Sequence, residues 1–288
     1  MPIHLSCSIL IRRNVHSWSL DSYQGNSSFS GGGFIPGRLQ NKVIIVTGGG
    51  SGIGRASALC FAEEGAKVVI GDVDIKGGEE TVRMIKSSGH EAMFVKCDVS
   101  VIEDAKNMVD RTTEKYGRLD CAFNNAGIEG VNAPVADYPN EIWDKAIGVN
   151  LIGVYHCMKY EIEQMLKTGG GSIVNNASIL GLVGFPQASA YVAAKHGVLG
   201  LTKTAALEYA TKGIRVNAVC PGFIKTPMLE RGGITTNPEL MRYVTELHPM
   251  KRMGRPEEIA ESVIWLFTEA SSFVTGISLL VDGGYVAQ

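Results

Sequence analysis

A chain of 288 residues, 45% hydrophobic and 19% charged, is long enough to bury a sizeable core, and it carries a formal charge of −2. Its Lys and Arg residues are scattered rather than gathered in a stripe, which argues against a nucleic-acid partner, and no uninterrupted apolar run approaches the roughly 18 residues of a membrane-spanning helix. The six cysteines, Cys7, Cys60, Cys97, Cys121, Cys157 and Cys220, form no CxxC pair, so free thiols in a reducing, cytoplasmic setting are expected, with neither a disulfide framework nor a metal site.

Residues 1–38 stand apart from the rest. The stretch "SYQGNSSFSGGGFIPG" is rich in Ser and Gly, no acid precedes Asp21, and Arg12 and Arg13 adjoin a short apolar run. This composition predicts a disordered extension. It is read as a solvated tail or as an organelle transit peptide; a secretory signal would need an apolar stretch after the arginines that is missing here.

From residue 39 onward, short β-branched runs alternate with longer stretches at helical spacing. The strands are "KVIIVT" (42–47), "KVVIGD" (67–72), "EAMFVKC" (91–97), "LDCAFNN" (119–125), "GSIVNNAS" (171–178), "IRVNAVC" (214–220) and "ISLLVDG" (277–283), all read as buried on both faces. Helices are predicted over roughly 53–64, 77–88, 101–116, 140–167, 189–212 and 256–268. The last begins with "RPEE", where Pro256 suits the first helical position and Glu257 and Glu258 complement the helix dipole. Only 221–255, rich in Gly, Pro and Met, breaks the rhythm. Strict alternation implies an α/β chain: one doubly wound Rossmann domain over 39–288, with a seven-stranded parallel sheet covered by helices on both faces.

In such a sheet, ligands bind beyond the carboxyl ends of the strands where the strand order reverses. The first strand-to-helix junction reads "TGGGSGIG", Thr47 to Gly54. Gly48, Gly52 and Gly54 allow a tight turn and a close backbone approach to a pyrophosphate, with Ser51 and Ile53 as the accompanying contacts. Asp72 ends the second strand about 20 residues later, placed to accept hydrogen bonds from ribose hydroxyls and to repel a 2′-phosphate. NAD is therefore expected over NADP, with Arg55 as the one nearby cation that complicates the choice. Asp98, past the third strand, is placed to accept from an adenine amino group and to set Val99 against the ring; its other reading is a cap for the helix near 101.

The series Thr47-Gly48-x-x-x-Gly52-x-Gly54, "NNAG" at 124–127, Asn150 in "VNLIG", Ser178, Tyr191-x-x-x-Lys195 and "PG" at 221–222 resembles the short-chain dehydrogenase/reductase family across about 39–288. The likeness extends to bacterial glucose 1-dehydrogenase-like and 3-oxoacyl reductase-like members. It implies Tyr191 as general acid/base, Ser178 as a hydrogen-bond partner of the substrate oxygen, Lys195 on the nicotinamide ribose, and Asn150 holding a water in line with Lys195. Tyr191 and Lys195, at i and i+4, share one helix face, and a nearby ammonium favours the phenolate. The resemblance further implies that Asn125, Ala126 and Gly127 flank the adenosine ribose. Pro221 and Gly222 would turn the chain over the nicotinamide end, where Ile224 and Thr226 meet the cofactor.

A lid over about 223–250 is expected, with Leu180, Gly184, Phe185, Met228 and Leu229 as an apolar pocket wall. The expected reaction moves hydride between NAD and a secondary alcohol: a sugar, polyol, steroid or cyclic alcohol. A 3-oxoacyl thioester reductase using NADPH is the alternative, and a non-catalytic NAD(H)-binding sensor a remote one that retention of Tyr191 and Lys195 disfavours. Family members commonly form homotetramers, and the same is expected here.

Overall fold

The computed structural model describes residues 37–288. The extension expected over 1–38 thus lies, but for its last two residues, outside the described residues, as does Cys7.

β1 (Val43–Thr47) is the run VIIVT with every side chain buried, the signature of a central strand covered on both faces. After the glycine turn, α1 (Gly52–Glu63) leads to β2 (Lys67–Asp72), α2 (Ile75–Ser87) and β3 (Ala92–Lys96). α3 (Ile102–Tyr116) stops at Gly117, whose φ of 76° provides the left-handed cap, and β4 (Cys121–Asn124) follows. α4 (Asn140–Ile147) runs through a π-helical turn (Gly148–Ile152) into α5 (Gly153–Thr168) and β5 (Gly171–Asn176). α6 (Ser189–Tyr209) and β6 (Ile214–Pro221) precede two short helices, α7 (Pro227–Arg231) and α8 (Pro238–Glu246). α9 (Pro256–Phe267) and β7 (Ser278–Val281) complete the chain.

The strand order is β3-β2-β1-β4-β5-β6-β7, and every neighbouring pair is parallel. The chain steps outward from β1 to β3, then returns to lay β4 on the free side of β1, so the order reverses between these two strands. Their diverging carboxyl ends, Thr47 and Asn124, open the crevice that such a sheet offers to a ligand. One face of the sheet is packed by α3, α5 and α6 through residues such as Met108, Val154 and Val198. The other is packed by α1, α2 and α9, where Phe61 meets Phe123 and Phe267 edge to face.

The seven strands and six long helices stand where the periodicity predicts them, with three differences. First, β3 and β7 are edge strands: Met93 and Phe94 are only partly buried and Leu280 is exposed, so burial on both faces holds for the inner strands alone. Second, the single helix expected over 140–167 is interrupted by the π turn, in which the Gly153 N–H bonds to the Gly148 carbonyl. Third, 221–255 contains α7 and α8. α8 is fixed by Pro238 at its first position and by the Asn237 side chain, whose oxygen accepts from the N–H groups of Glu239 (2.9 Å) and Leu240 (3.2 Å). Among the described residues no helix is long and apolar enough to cross a membrane.

Candidate active site

The turn from β1 to α1 needs glycine for two separate reasons. Gly48 and Gly52 have φ of 64° and 52°, which side chains rarely adopt. Gly54 has no room: a Cβ there would stand 2.1 Å from the Gly48 carbonyl oxygen and 2.6 Å from Asn125 Nδ2. The turn is tied to the start of the NNAG segment, because Thr47 Oγ1 accepts from the N–H groups of Asn125 (2.9 Å) and Ala126 (3.1 Å), while Asn125 Nδ2 donates to the Thr47 carbonyl (3.0 Å).

α1 begins with no side-chain cap and no acidic residue in its first turn, so its N–H groups and positive dipole end remain uncompensated by the chain. Such an end fits a pyrophosphate. Asp72 is hydrogen-bonded to this turn, its Oδ2 accepting from Gly50 N–H (2.8 Å) and its Oδ1 from Asp74 N–H (2.9 Å). Arg55 donates to Thr81 Oγ1 (3.0 Å) and to the carbonyls of Gly50 and Gly77 (3.2 Å to the latter), so its guanidinium stitches the loop to α2. The residues present therefore suit a dinucleotide.

Asp98 closes a turn on Ser100, accepting from its N–H (3.0 Å) and hydroxyl (2.6 Å). The residue at the cap position of α3 is Val101, so the reading of Asp98 as that helix's cap is corrected. The Val99 side chain is buried in the core against Gly153 of α5.

Three elements, the turn after β5, α6 and the π turn, bring the four expected catalytic residues together. Ser178 follows β5 in an extended conformation, its Oγ accepting from Leu180 N–H (3.1 Å). Tyr191 and Lys195 lie in the first two turns of α6, and Lys195 Nζ stands 5.4 Å from the centre of the Tyr191 ring. The ammonium donates to the Asn176 carbonyl (2.6 Å). Asn150, fully buried in the π turn, clamps the residue after NNAG: its Oδ1 accepts from Ile128 N–H and its Nδ2 donates to the Ile128 carbonyl, both at 2.8 Å. One donor hydrogen and one lone pair of its amide are used in this way, and a Cβ on Gly127 would lie 2.9 Å from Asn150 Oδ1 and 3.8 Å from Lys195 Nζ. His196 is exposed and bonds to the Val192 carbonyl within its own helix.

Desolvation dominates the electrostatics here. It pushes the Tyr191 phenol up to about 12, with the Ser178 hydroxyl pulling the other way and the Glu129 charge adding to the rise. Lys195 Nζ, over the face of the Tyr191 ring, is itself hydrogen-bonded to the Asn176 carbonyl. Burial also lowers Lys195 itself to about 8.

Beneath the cluster lies a buried polar network that the sequence reading missed. Asn124 Nδ2 donates to Glu161 Oε2 (2.9 Å) and Asn175 Oδ1 (3.1 Å), and Asn175 Nδ2 donates to Thr202 Oγ1 (2.9 Å). It joins β4, α5, β5 and α6, the elements that lead into NNAG, lead on from Asn150, lead into Ser178 and carry Tyr191. Desolvation raises fully buried Glu161 to about 8, opposed by the Asn124 bond. An unfolded chain releases this proton near 4.5, so between that value and about 8 the folded state holds more protons and stability falls as pH rises. Melting temperature is expected to fall from about pH 5 to about pH 8 more steeply in the wild type than in Glu161→Gln. Parallel melting profiles would contradict this.

At the outer end, Ile224 is buried and pairs with Gly254, while Thr226 Cβ lies 3.5 Å from the position a Cβ on Gly52 would take. Leu180 is in the short turn after Ser178; Gly184 and Phe185 lie in the loop leading to α6; Met228 and Leu229 are partly buried on α7. Of these, Phe185 joins an aromatic group: its ring meets Phe223 at 6.3 Å, and Phe223 meets His248 at 5.8 Å and Tyr285 at 6.2 Å. His248 bridges the Val244 carbonyl (2.8 Å) and the Phe223 N–H (3.2 Å), anchoring the segment after β6 to the end of α8. No motif marks Phe223, His248 or Tyr285 in the sequence. A cavity of about 350 Å³ lined by Phe223, His248, Arg252, Glu258 and Asp282 includes none of Ser178, Tyr191 or Lys195.

A family model described as enoyl-(acyl carrier protein) reductase matches residues 48–286. The chain is 44% identical over 251 residues to a cyclohexanol dehydrogenase of an Acinetobacter species, covering 87% of this chain and 97% of that protein. It is 44% identical over 250 residues to a 2,5-dichloro-2,5-cyclohexadiene-1,4-diol dehydrogenase of Sphingobium indicum, covering 86% and 98%. The crystal structure of an NAD+-bound xylitol dehydrogenase superposes with a TM-score of 0.82 at 36% identity, over 85% of this chain and 99% of that one.

Proposed function

The chain belongs to the short-chain dehydrogenase/reductase family, and we propose that it is an NAD-dependent dehydrogenase in which Tyr191 carries the proton of a ring or polyol secondary alcohol. It is an oxidoreductase of CH–OH groups, taking a small-molecule substrate and a nicotinamide cofactor. The observation that carries the residue assignment is the meeting of Ser178, Tyr191 and Lys195 at the carboxyl end of β5, with Lys195 Nζ 5.4 Å from the Tyr191 ring centre.

A bound nicotinamide supplies the two-electron hydride acceptor or donor. Ser178 Oγ hydrogen-bonds the substrate oxygen and steadies charge as it develops there. In oxidation, Tyr191 Oη takes the hydroxyl proton as the C–H bond gives up hydride, and the C–O bond becomes a carbonyl. In reduction, the phenol returns that proton to the carbonyl oxygen. Burial raises the Tyr191 phenol; for oxidation, a bound nicotinamide cation and the Lys195 ammonium would favour the phenolate. Lys195 holds the nicotinamide ribose hydroxyls, and Asn150 fixes the loop beside it. Gly48, Ser51, Gly52, Ile53 and Gly54 cradle the pyrophosphate. Asn125, Ala126 and Gly127 flank the adenosine ribose, with Asp98 beyond it at the adenine and Val99 meeting the ring only through its backbone, since its side chain is buried in the core. Pro221, Gly222, Ile224 and Thr226 close over the nicotinamide, and Leu180, Gly184, Phe185, Met228 and Leu229 wall the substrate.

NAD is assigned over NADP because Asp72 places a carboxylate at the adenosine end while Arg55, the nearby cation, is committed to the loop. Asp72→Asn keeps an oxygen for Gly50 N–H but removes the charge. Like charges about 4 Å apart repel by about 4 kcal/mol at an effective permittivity near 20, so the NADP-to-NAD ratio of kcat/KM should rise at least roughly tenfold. An unchanged ratio would overturn the assignment. A homotetramer is proposed from exposed apolar residues on α5 (Tyr155, Leu166), α6 (Leu207) and β7 (Leu280), with sedimentation as its test.

A further inference from the structure

Glu129 lies in the loop after NNAG, between two fixed points. On one side Ile128 is held through both its N–H and its carbonyl by Asn150, each at 2.8 Å. On the other, Val131 N–H donates to the Tyr138 hydroxyl (3.2 Å), and the Tyr138 side chain is buried with Ala146 and Ala190. The loop then docks beside α6, with Ala133 bridging Ala188 and its N–H donating to the Gln187 carbonyl (3.1 Å). Glu129 is thus held by its backbone two residues after Gly127, where an added Cβ would lie 3.8 Å from Lys195 Nζ, and its charge adds to the rise of the Tyr191 phenol.

Glu129 Oε1 is nevertheless buried with no hydrogen-bond partner among the described residues, and so is the hydroxyl of Ser189, the first residue of α6. A buried carboxylate oxygen left without a donor is costly, and it is met by a protein group, an ordered water or a ligand. No Lys or Arg pairs with it among the described ion pairs. The missing donor is therefore sought in the substrate.

We propose that Glu129 determines specificity by accepting a hydrogen bond from a second hydroxyl of the substrate, so that the preferred substrate is a ring diol or polyol rather than a mono-alcohol. This rests on the Tyr191-centred reading above. The oxidised hydroxyl sits between Ser178 and Tyr191, and the second hydroxyl, elsewhere on the same ring, donates to Glu129. A substrate without it leaves the carboxylate unpaired in the complex, the circumstance in which polar sites discriminate most strongly.

The test compares cyclohexanol with the isomers of cyclohexanediol in the wild type, Glu129→Gln and Glu129→Leu. For at least one diol isomer, the diol-to-cyclohexanol ratio of kcat/KM should exceed one in the wild type and fall roughly ten- to a hundredfold in Glu129→Leu, chiefly through KM. Glu129→Gln, which keeps an acceptor oxygen, should fall between. A ratio that no substitution changes for any isomer overturns the proposal. A wild type that oxidises none of these alcohols overturns the dehydrogenase reading instead. The proposal is then decided by calorimetric titration of the same compounds into the enzyme with NADH: tighter diol binding by the wild type than by Glu129→Leu supports it, and equal binding overturns it.

Discussion

Tyr191→Phe is expected to lower kcat by about 10²- to 10⁴-fold while leaving the fold and dinucleotide binding in place. The phenylalanine ring fills the same space under Lys195, so packing is preserved and only the hydroxyl beside Ser178 is lost. Without it no group of the chain is placed to exchange the proton of the substrate oxygen, and Ser178 is left only to bond it. Steady-state rates with a cyclic alcohol, together with the quench of protein fluorescence by NADH, separate the two effects. A variant that retains a rate within about tenfold of the wild type would remove Tyr191 from the chemistry.

Gly54→Ala is expected to weaken dinucleotide binding roughly a hundredfold, because even a 1 Å misplacement of a positioning element costs about that much. The added Cβ would meet the Gly48 carbonyl oxygen at 2.1 Å and its carbon at 2.8 Å, and backbone atoms have no rotamer by which to yield. Either the first turn of α1 or the Gly48 turn must move, and both touch Asn125. Overpacking of this kind costs about 1–3 kcal/mol of stability, which in a domain of this size lowers Tm by several degrees, roughly 2–4 °C for each kcal/mol. Gly200→Ala is the comparison: nothing lies within 4 Å of its added Cβ, and alanine in an exposed helix gains up to about 1 kcal/mol. Calorimetric melting and NADH titration of both variants check the pair. Equal behaviour would show that the tight turn does not govern the site.

The parts of this fold visible in the sequence are those governed by local pattern. The β-branched runs in β1 and β2 alternate with helices of clear periodicity, and the resulting parallel sheet locates the crevice before any side chain is placed. The glycine turn and Asp72 are marked by their places at strand ends and the Tyr191–Lys195 pair by its i, i+4 spacing, whereas Ser178 is marked only by the family resemblance. What stayed hidden depends on tertiary contact. The π turn at Gly148–Ile152 comes with the Asn150 clamp on Ile128, a contact across 22 residues. α8 carried a local signal, Asn237-Pro238-Glu239, that was obscured by the Gly- and Met-rich composition around it. Glu161 reads as the polar face of an amphipathic helix, yet it is turned into the core by its bond to Asn124. The elevation of Tyr191 is not readable from the YxxxK spacing, since it depends on how far the fold desolvates the phenol.

The central claim, NAD-linked oxidation of a secondary alcohol through Tyr191, is tested most directly by following reduced nicotinamide as the wild-type protein meets cyclohexanol and cyclohexanediols with NAD and, separately, with NADP. The predicted result is turnover with a higher kcat/KM for NAD. Absence of turnover on any secondary alcohol, or a higher kcat/KM for NADP, would contradict it.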